Sequence, residues 1–170
     1  MALKLTDQFL AELDVEAAAT RRVLERVPEG RDDWKPHPKS MPLGRLAQLV
    51  AEMPGWVAMT IDQNELDVMS GEGRARPVLT TTRERLEALE KSVAAARDAL
   101  TRTTDDHLMT NWRMLAGGTL VSEEPRYLVR RHAVCKHLAQ HRVQLTVYLR
   151  LNDEPVPSVY GPTADDSRFA

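Results

Sequence analysis

His137 and His141 stand four residues apart in the stretch PRYLVRRHAVCKHLAQHRVQLTVYLR, residues 125–150. In a helix, that spacing places both imidazoles on one side, one turn above the other and about 40° apart around the axis. Two neutral imidazoles so placed can chelate one divalent metal without distorting the backbone, as i, i+4 pairs do in zinc-binding helices. The same spacing suits a plainer arrangement, with one histidine packed at the edge of an apolar stripe and the other facing water. The stripe here is Leu128, Val134, Cys135, Leu138, Leu145 and Leu149. Spacing alone leaves both readings open.

The helix carrying the pair needs other elements to bury its stripe. A chain of 170 residues, 42% hydrophobic and 28% charged, is long enough for one domain with a core of its own. A formal charge of −2 and a pI near 6.2 leave no electrostatic footprint for nucleic acid or an anionic membrane surface. No run approaches the roughly 18 apolar residues that span a bilayer. The opening MALKLTDQFLAELD turns acidic too soon for a secretory signal, so a cytoplasmic location is expected. A single cysteine excludes an intramolecular disulfide framework. Cys135 reads as a buried, inert thiol; the alternative is a thiol activated by Arg131 or Lys136.

Leu5, Phe9, Leu13, Thr20, Leu24 and Val27 recur at helical steps, which predicts a first helix over 6–27, capped by Thr6 and stopped by Pro28 and Gly30. Pro36 and Pro38 force an extended path around His37, which either ties the loop or lines a pocket. Ser40 is expected to cap a second helix with Pro42 in its first turn and Leu43, Leu46, Leu49, Val50, Met53, Val57 and Ile61 inward. Pro54 inside that pattern removes a hydrogen bond at a cost of about 3 kcal/mol and predicts a kink or break near Val50. Residues 64–80, with Gly71, Gly73 and Pro77, read as a connector. Thr81 and Glu84 form a capping box that opens a third helix, with Leu86, Leu89, Val93, Ala96 and Leu100 inward.

Two short apolar runs around Gly117-Gly118 suit a small hairpin. Glu123, Glu124 and Pro125 suit the start of the main helix, which Pro155 and Pro157 end. The tail 152–170 is expected to be extended. Trp34, Trp56 and Trp112 are core fillers or pocket walls. Four long amphipathic segments without a sustained strand pattern predict an all-α chain, a four-helix bundle in one domain over 1–170.

Two stretches, WKPHPKSMPLGRLAQLVAEMPGW and HLAQHRVQLTVYLRLNDEPVPSVYGPTADD, resemble the DinB-like (DinB/YfiT) superfamily, as does the spacing between them. The resemblance covers nearly the whole chain. It implies an antiparallel four-helix bundle with an unusual crossover, often a homodimer, holding zinc or nickel between three histidines. Two of these map onto His137 and His141. The third belongs to a pattern resembling L-G-x-L-A-x-H on the second helix, and here that stretch is Leu43-Gly44-Arg45-Leu46-Ala47-Gln48-Leu49. Leu49 stands where the family has its third ligand, and leucine donates no electron pair. Three states then follow: the metal is lost, Glu52 one turn beyond Leu49 completes a two-His, one-carboxylate set, or water or a partner's donor fills the shell.

Two functions from different classes fit the resemblance. One is a non-catalytic small-molecule-binding or stress-associated bundle with a degenerate metal site, which Leu49 favours. The other is a metal-dependent enzyme of the thiol S-transferase type, in which the metal lowers the pKa of a low-molecular-weight thiol. For a pocket around the pair, Gln144 and Tyr148 share the histidine side of the helix. Arg142 either holds an anionic group or snorkels outward.

Overall fold

The first helix, α1 (Leu5–Leu24), starts one residue before Thr6, and Thr6 is buried inside it and does not cap it. The capping acceptor comes from far along the chain. The Asp105 carboxylate takes the Leu5 and Thr6 N–H groups at 3.0 and 3.2 Å, which places a negative charge on the positive end of the helix dipole. In this computed structural model, residues 4–71 and 78–167 are described. Gly73 and Pro77 of the connector and the last three residues of the tail lie outside them.

Helix α2 (Leu43–Glu52) follows Pro42 at its N-cap, and Ser40 plays no capping part. The loop before it satisfies its first amides: Leu43 N–H donates to the Trp34 carbonyl and Gly44 N–H to that of Asp32. Gly44 is needed there, since a Cβ would lie 2.5 Å from the Asp32 carboxylate. Pro54 breaks the helix as its chemistry requires. The chain tightens into a 3₁₀ turn at Met53–Gly55 and resumes as α3 (Trp56–Asp62). The break falls three residues beyond Val50.

The chain is not all-α. Strands β1 (Glu65–Asp67), β2 (Asn111–Ala116) and β3 (Thr119–Pro125) form a mixed sheet in that order, with β1 parallel and β3 antiparallel to β2. The hairpin around Gly117-Gly118 is present, and both glycines take positive φ (58° and 77°), as a tight two-residue turn demands. The third strand comes from the connector. Asp67 ties it down, accepting from Gly117 N–H at 2.9 Å, Gly118 N–H at 2.7 Å and Met69 N–H at 2.8 Å. A three-residue strand without alternating burial leaves no period in the sequence, which is why the all-α expectation fails.

Between β1 and β2 lie α4 (Thr82–Arg102), opened by the Thr81–Glu84 capping box as expected, and the short α5 (Asp105–Leu108). After β3 come α6 (Arg126–Val129), a π-helical segment at Arg130–Lys136, and α7 (His137–Leu151). Cross-helix pairs give the directions. Arg21–Glu90 and Asp14–Arg97 set α1 antiparallel to α4. Asp32–Arg85 and Asp62–Arg102 join the start and end of the α2–α3 unit to the corresponding ends of α4, so the two run in parallel. Tyr148 donates to the Met41 carbonyl while Trp56 lies against His137, so α7 runs opposite to α2.

The core of this helical bundle gathers Leu24, Leu43, Leu46, Val50, Leu89, Leu138, Leu145 and Leu149. A second cluster, with Phe9, Leu13, Val57, Ile61, Ala96, Leu100 and Val134, lies nearer the sheet. Residues 155–167 carry no helix or strand, and Ser158 is buried, its carbonyl accepting from Arg22. No helix among the described residues is long and apolar enough to cross a membrane.

Candidate metal site

His137 opens α7 and His141 follows one turn on, with their Nε2 atoms 2.8 Å apart and ring centroids 4.5 Å apart. The outer nitrogen of His141 is held: Nδ1 lies 2.7 Å from Gln144 Oε1, so with that oxygen accepting, Nδ1 carries the proton and Nε2 turns a lone pair toward His137. His137 bonds to the Ala133 backbone. Burial, joined by the nearby His141, pulls its pKa below the ordinary imidazole value against the upward pull of that bond. Neutral imidazole is the ligand form. At 2.8 Å the two Nε2 atoms are joined either by an N–H···N hydrogen bond, with one ring in the Nε2–H tautomer, or by a metal ion held between two lone pairs.

The residues fit a metal in part. Zinc–nitrogen bonds of about 2.0–2.1 Å at a tetrahedral angle put the two nitrogens about 3.3 Å apart. The observed 2.8 Å reaches that with a small opening of the rings. The Trp56 ring packs 5.8 Å from His137 and shields one side. The rest of the shell is where the fit stops. Among the described residues, no three His, Cys, Asp or Glu side chains group to hold one ion. Leu49 is half-buried against the core cluster that includes Leu138 and Leu145. Glu52, at the end of α2, accepts from Gln48 Nε2 at 3.0 Å.

The remaining candidates divide. Gln144 belongs to the pair through His141. Tyr148, two turns beyond His141, stacks edge-on to Trp34 at 5.4 Å and helps seal the core. Arg142 does not snorkel. It is fully buried, donating to the Glu16 carbonyl at 3.1 Å, Thr20 Oγ1 at 3.0 Å, the Glu16 carboxylate at 2.6 Å and the Tyr160 hydroxyl. Glu16 supplies the counter-charge that makes this burial tolerable. His37 Nδ1 accepts from Lys39 N–H and ties its own loop. Burial pushes the Cys135 thiol up to about 11, which makes it inert. Of the tryptophans read as core fillers or pocket walls, Trp56 lies against the pair; sequence reasoning missed the buried arginines Arg85, Arg126 and Arg130. No local pattern marks any of them.

No family model matches the sequence, and no curated protein matches it. Solved structures do. A DinB-like protein of Bacillus cereus ATCC 10987 matches with a TM-score of 0.70 at 22% identity, over 94% of this chain and 100% of that one. This chain has the DinB-like fold. A DinB-like protein of Bacillus subtilis matches with a TM-score of 0.66 at 14% identity, over 86% of this chain and 92% of that one. A proposed member of the DinB family from Exiguobacterium sibiricum 255-15 gives 0.62 at 20% identity, over 89% and 95%. At such identities the likeness is one of fold, and the chemistry of this DinB-like chain rests on its own residues.

Proposed function

We propose that this DinB-like protein is a non-catalytic, small-molecule-binding bundle whose His137–His141 pair takes zinc or nickel weakly. The observation behind this reading is the convergence of two Nε2 atoms at 2.8 Å, with a leucine packed into the core where the sequence pattern expects a third ligand. Two imidazoles orient a metal but leave at least two positions to water or to a donor group of a small ligand. A bound metal would lower the pKa of such a donor. Catalytic zinc sites are typically held by three protein ligands, one more than this pair supplies.

Calorimetric titration of tag-free protein with zinc and nickel tests this. Wild type is expected to bind with a Kd weaker than about 10 µM, His137→Ala to show no binding, and Leu49→His to tighten it at least about tenfold. Tight binding by wild type that Glu52→Ala removes would overturn the reading. It would put Glu52 in the shell and favour the metal-dependent thiol S-transferase.

The proposal includes a homodimer through the outer face of α7. Val143, Val147 and Leu151 recur every four residues there and are 51%, 52% and 55% exposed. Lys136 precedes the face and Asp153 and Glu154 follow it. An antiparallel second copy therefore meets opposite charge at both ends. Sedimentation equilibrium should find a dimer that Val147→Lys converts to monomer. A wild-type monomer at about 100 µM would refute it, since even a weak specific interface associates there.

A further inference from the structure

The last helix changes its winding just before the histidines. Arg130–Lys136, seven residues, are π-helical between α6 and α7. A π turn holds about one residue more than an α turn, so it absorbs an extra residue and leaves its flanks in phase. Such turns are rare and occur mostly as single-turn bulges within α-helices, so packing elsewhere must favour this one.

That packing is on α1. Arg130 pairs with Glu12, donates to the Phe9 carbonyl at 3.2 Å and lies over the Phe9 ring at 3.9 Å. Arg142, twelve residues later, reaches Glu16 and Thr20 on the same helix. The two arginines are 3% and 0% exposed, so neither has slack to swing through solvent. At about 100° per residue, twelve α-helical steps turn through about 1200° and leave the side chains about 120° apart. Eleven steps turn through about 1100°, three turns to within about 20°. One residue absorbed in the π segment makes twelve steps count as eleven, and both arginines face α1.

The same correction aims the histidines. His137 and His141 follow the π segment in phase with Arg142, and His137 meets Trp56. An unbroken α-helix anchored at Arg130 would carry the pair about 100° around the axis, away from that ring. We propose that the π segment is the register device that points His137 and His141 at α3, and that Arg130 with Glu12 is the positioning pair that holds it. This deepens the site proposed above, yet the phase relation stands whether or not the pair takes metal.

The test is a deletion in the full chain, read by the nuclear Overhauser effect between the Trp56 indole and the His137 ring and by thermal unfolding. Neither readout depends on metal. Arg131 is exposed and lies within the π segment. Deleting it should give a continuous α-helix, keep the Trp56–His137 effect and leave Tm within about 3 °C. Deleting Val147, also exposed, from the α-helical part should lower Tm by more than about 10 °C, because Tyr148 and Leu149 leave the core. Arg130→Met should weaken the Trp56–His137 effect in a protein that remains folded, and Arg130→Lys should restore part of it. Loss of the effect on deleting Arg131, equal damage from both deletions, or no change in Arg130→Met would overturn the proposal.

Discussion

Replacing Arg126 with methionine removes the clamp between the sheet and the helices while keeping most of the side-chain volume. Arg126 is 2% exposed. Its Nε donates to the Thr60 carbonyl at 3.1 Å. Nη1 donates to Thr110 Oγ1 at 2.6 Å and the Asn111 carbonyl at 2.7 Å. Nη2 donates to the Gln63 carbonyl at 3.2 Å and Asn64 Oδ1 at 2.7 Å. Every acceptor is a neutral oxygen, and burial draws the Arg126 pKa down. Hydrogen bonds to a charged group contribute about 1.5–3 kcal/mol each, so the fork is worth about 7–15 kcal/mol gross. Desolvating the guanidinium opposes this by several kcal/mol, which leaves a net loss of about 3–5 kcal/mol for Arg126→Met. In a chain of this size that is a fall in Tm of about 10 °C. Urea unfolding at 25 °C measures it, and hydrogen exchange should show the β2–β3 amides opening before those of α4. Arg126→Lys keeps the charge but cannot span both α3 and the hairpin, so more than half the loss should remain. A change below about 1 kcal/mol in Arg126→Met would refute the clamp, because a buried charged donor shared among five acceptors cannot be lost so cheaply.

Asp67 carries a pH signature. Amide donors, chiefly Met69, Gly118 and Gly117, hold its carboxyl below the usual carboxylate range, so its contribution is present above the unfolded value and lost as pH falls through the lower folded one. The gap in urea midpoint between wild type and Asp67→Asn should be constant from about pH 5 to 7 and close below about pH 4; a gap independent of pH would contradict this. Cys135, pushed up to about 11, should resist iodoacetamide at pH 8 in the folded protein and label readily in denaturant, as read by mass spectrometry. Rapid labelling of the native state would show that the thiol is not shielded.

Features with local causes were legible in the sequence. The Thr81–Glu84 box, the Pro54 break and the turn at Gly117-Gly118 each depend on residues within a few positions, and each is present. The i, i+4 approach of His137 and His141 is local in the same way. What could not be read depends on distant partners. Asp105 caps α1 from 99 and 100 residues away. Glu12 meets Arg130 across 118 residues and Asp32 meets Arg85 across 53. A lone arginine at the edge of a stripe carries no mark of its carboxylate, so the sequence leaves Arg142 between holding an anionic group and snorkelling outward.

Those long-range pairs bear on how the candidate site should be understood. Arg85 binds Asp32 and the carbonyls of Leu79 and Thr80, joining the approach to α2 to the approach to α4. Arg126 fastens the hairpin to the end of α3, and Arg130 and Arg142 fix the last helix against α1. The backbone around His137 and His141 is therefore held by contacts that involve neither histidine nor Leu49. A leucine at the third position can remove an electron-pair donor without disturbing that frame, since its side chain joins the core cluster directly. The frame and the ligand set are thus separable. A protein whose metal built its fold would unfold when a ligand was lost, whereas here the buried arginines support the fold, and substitution of either histidine should leave it standing.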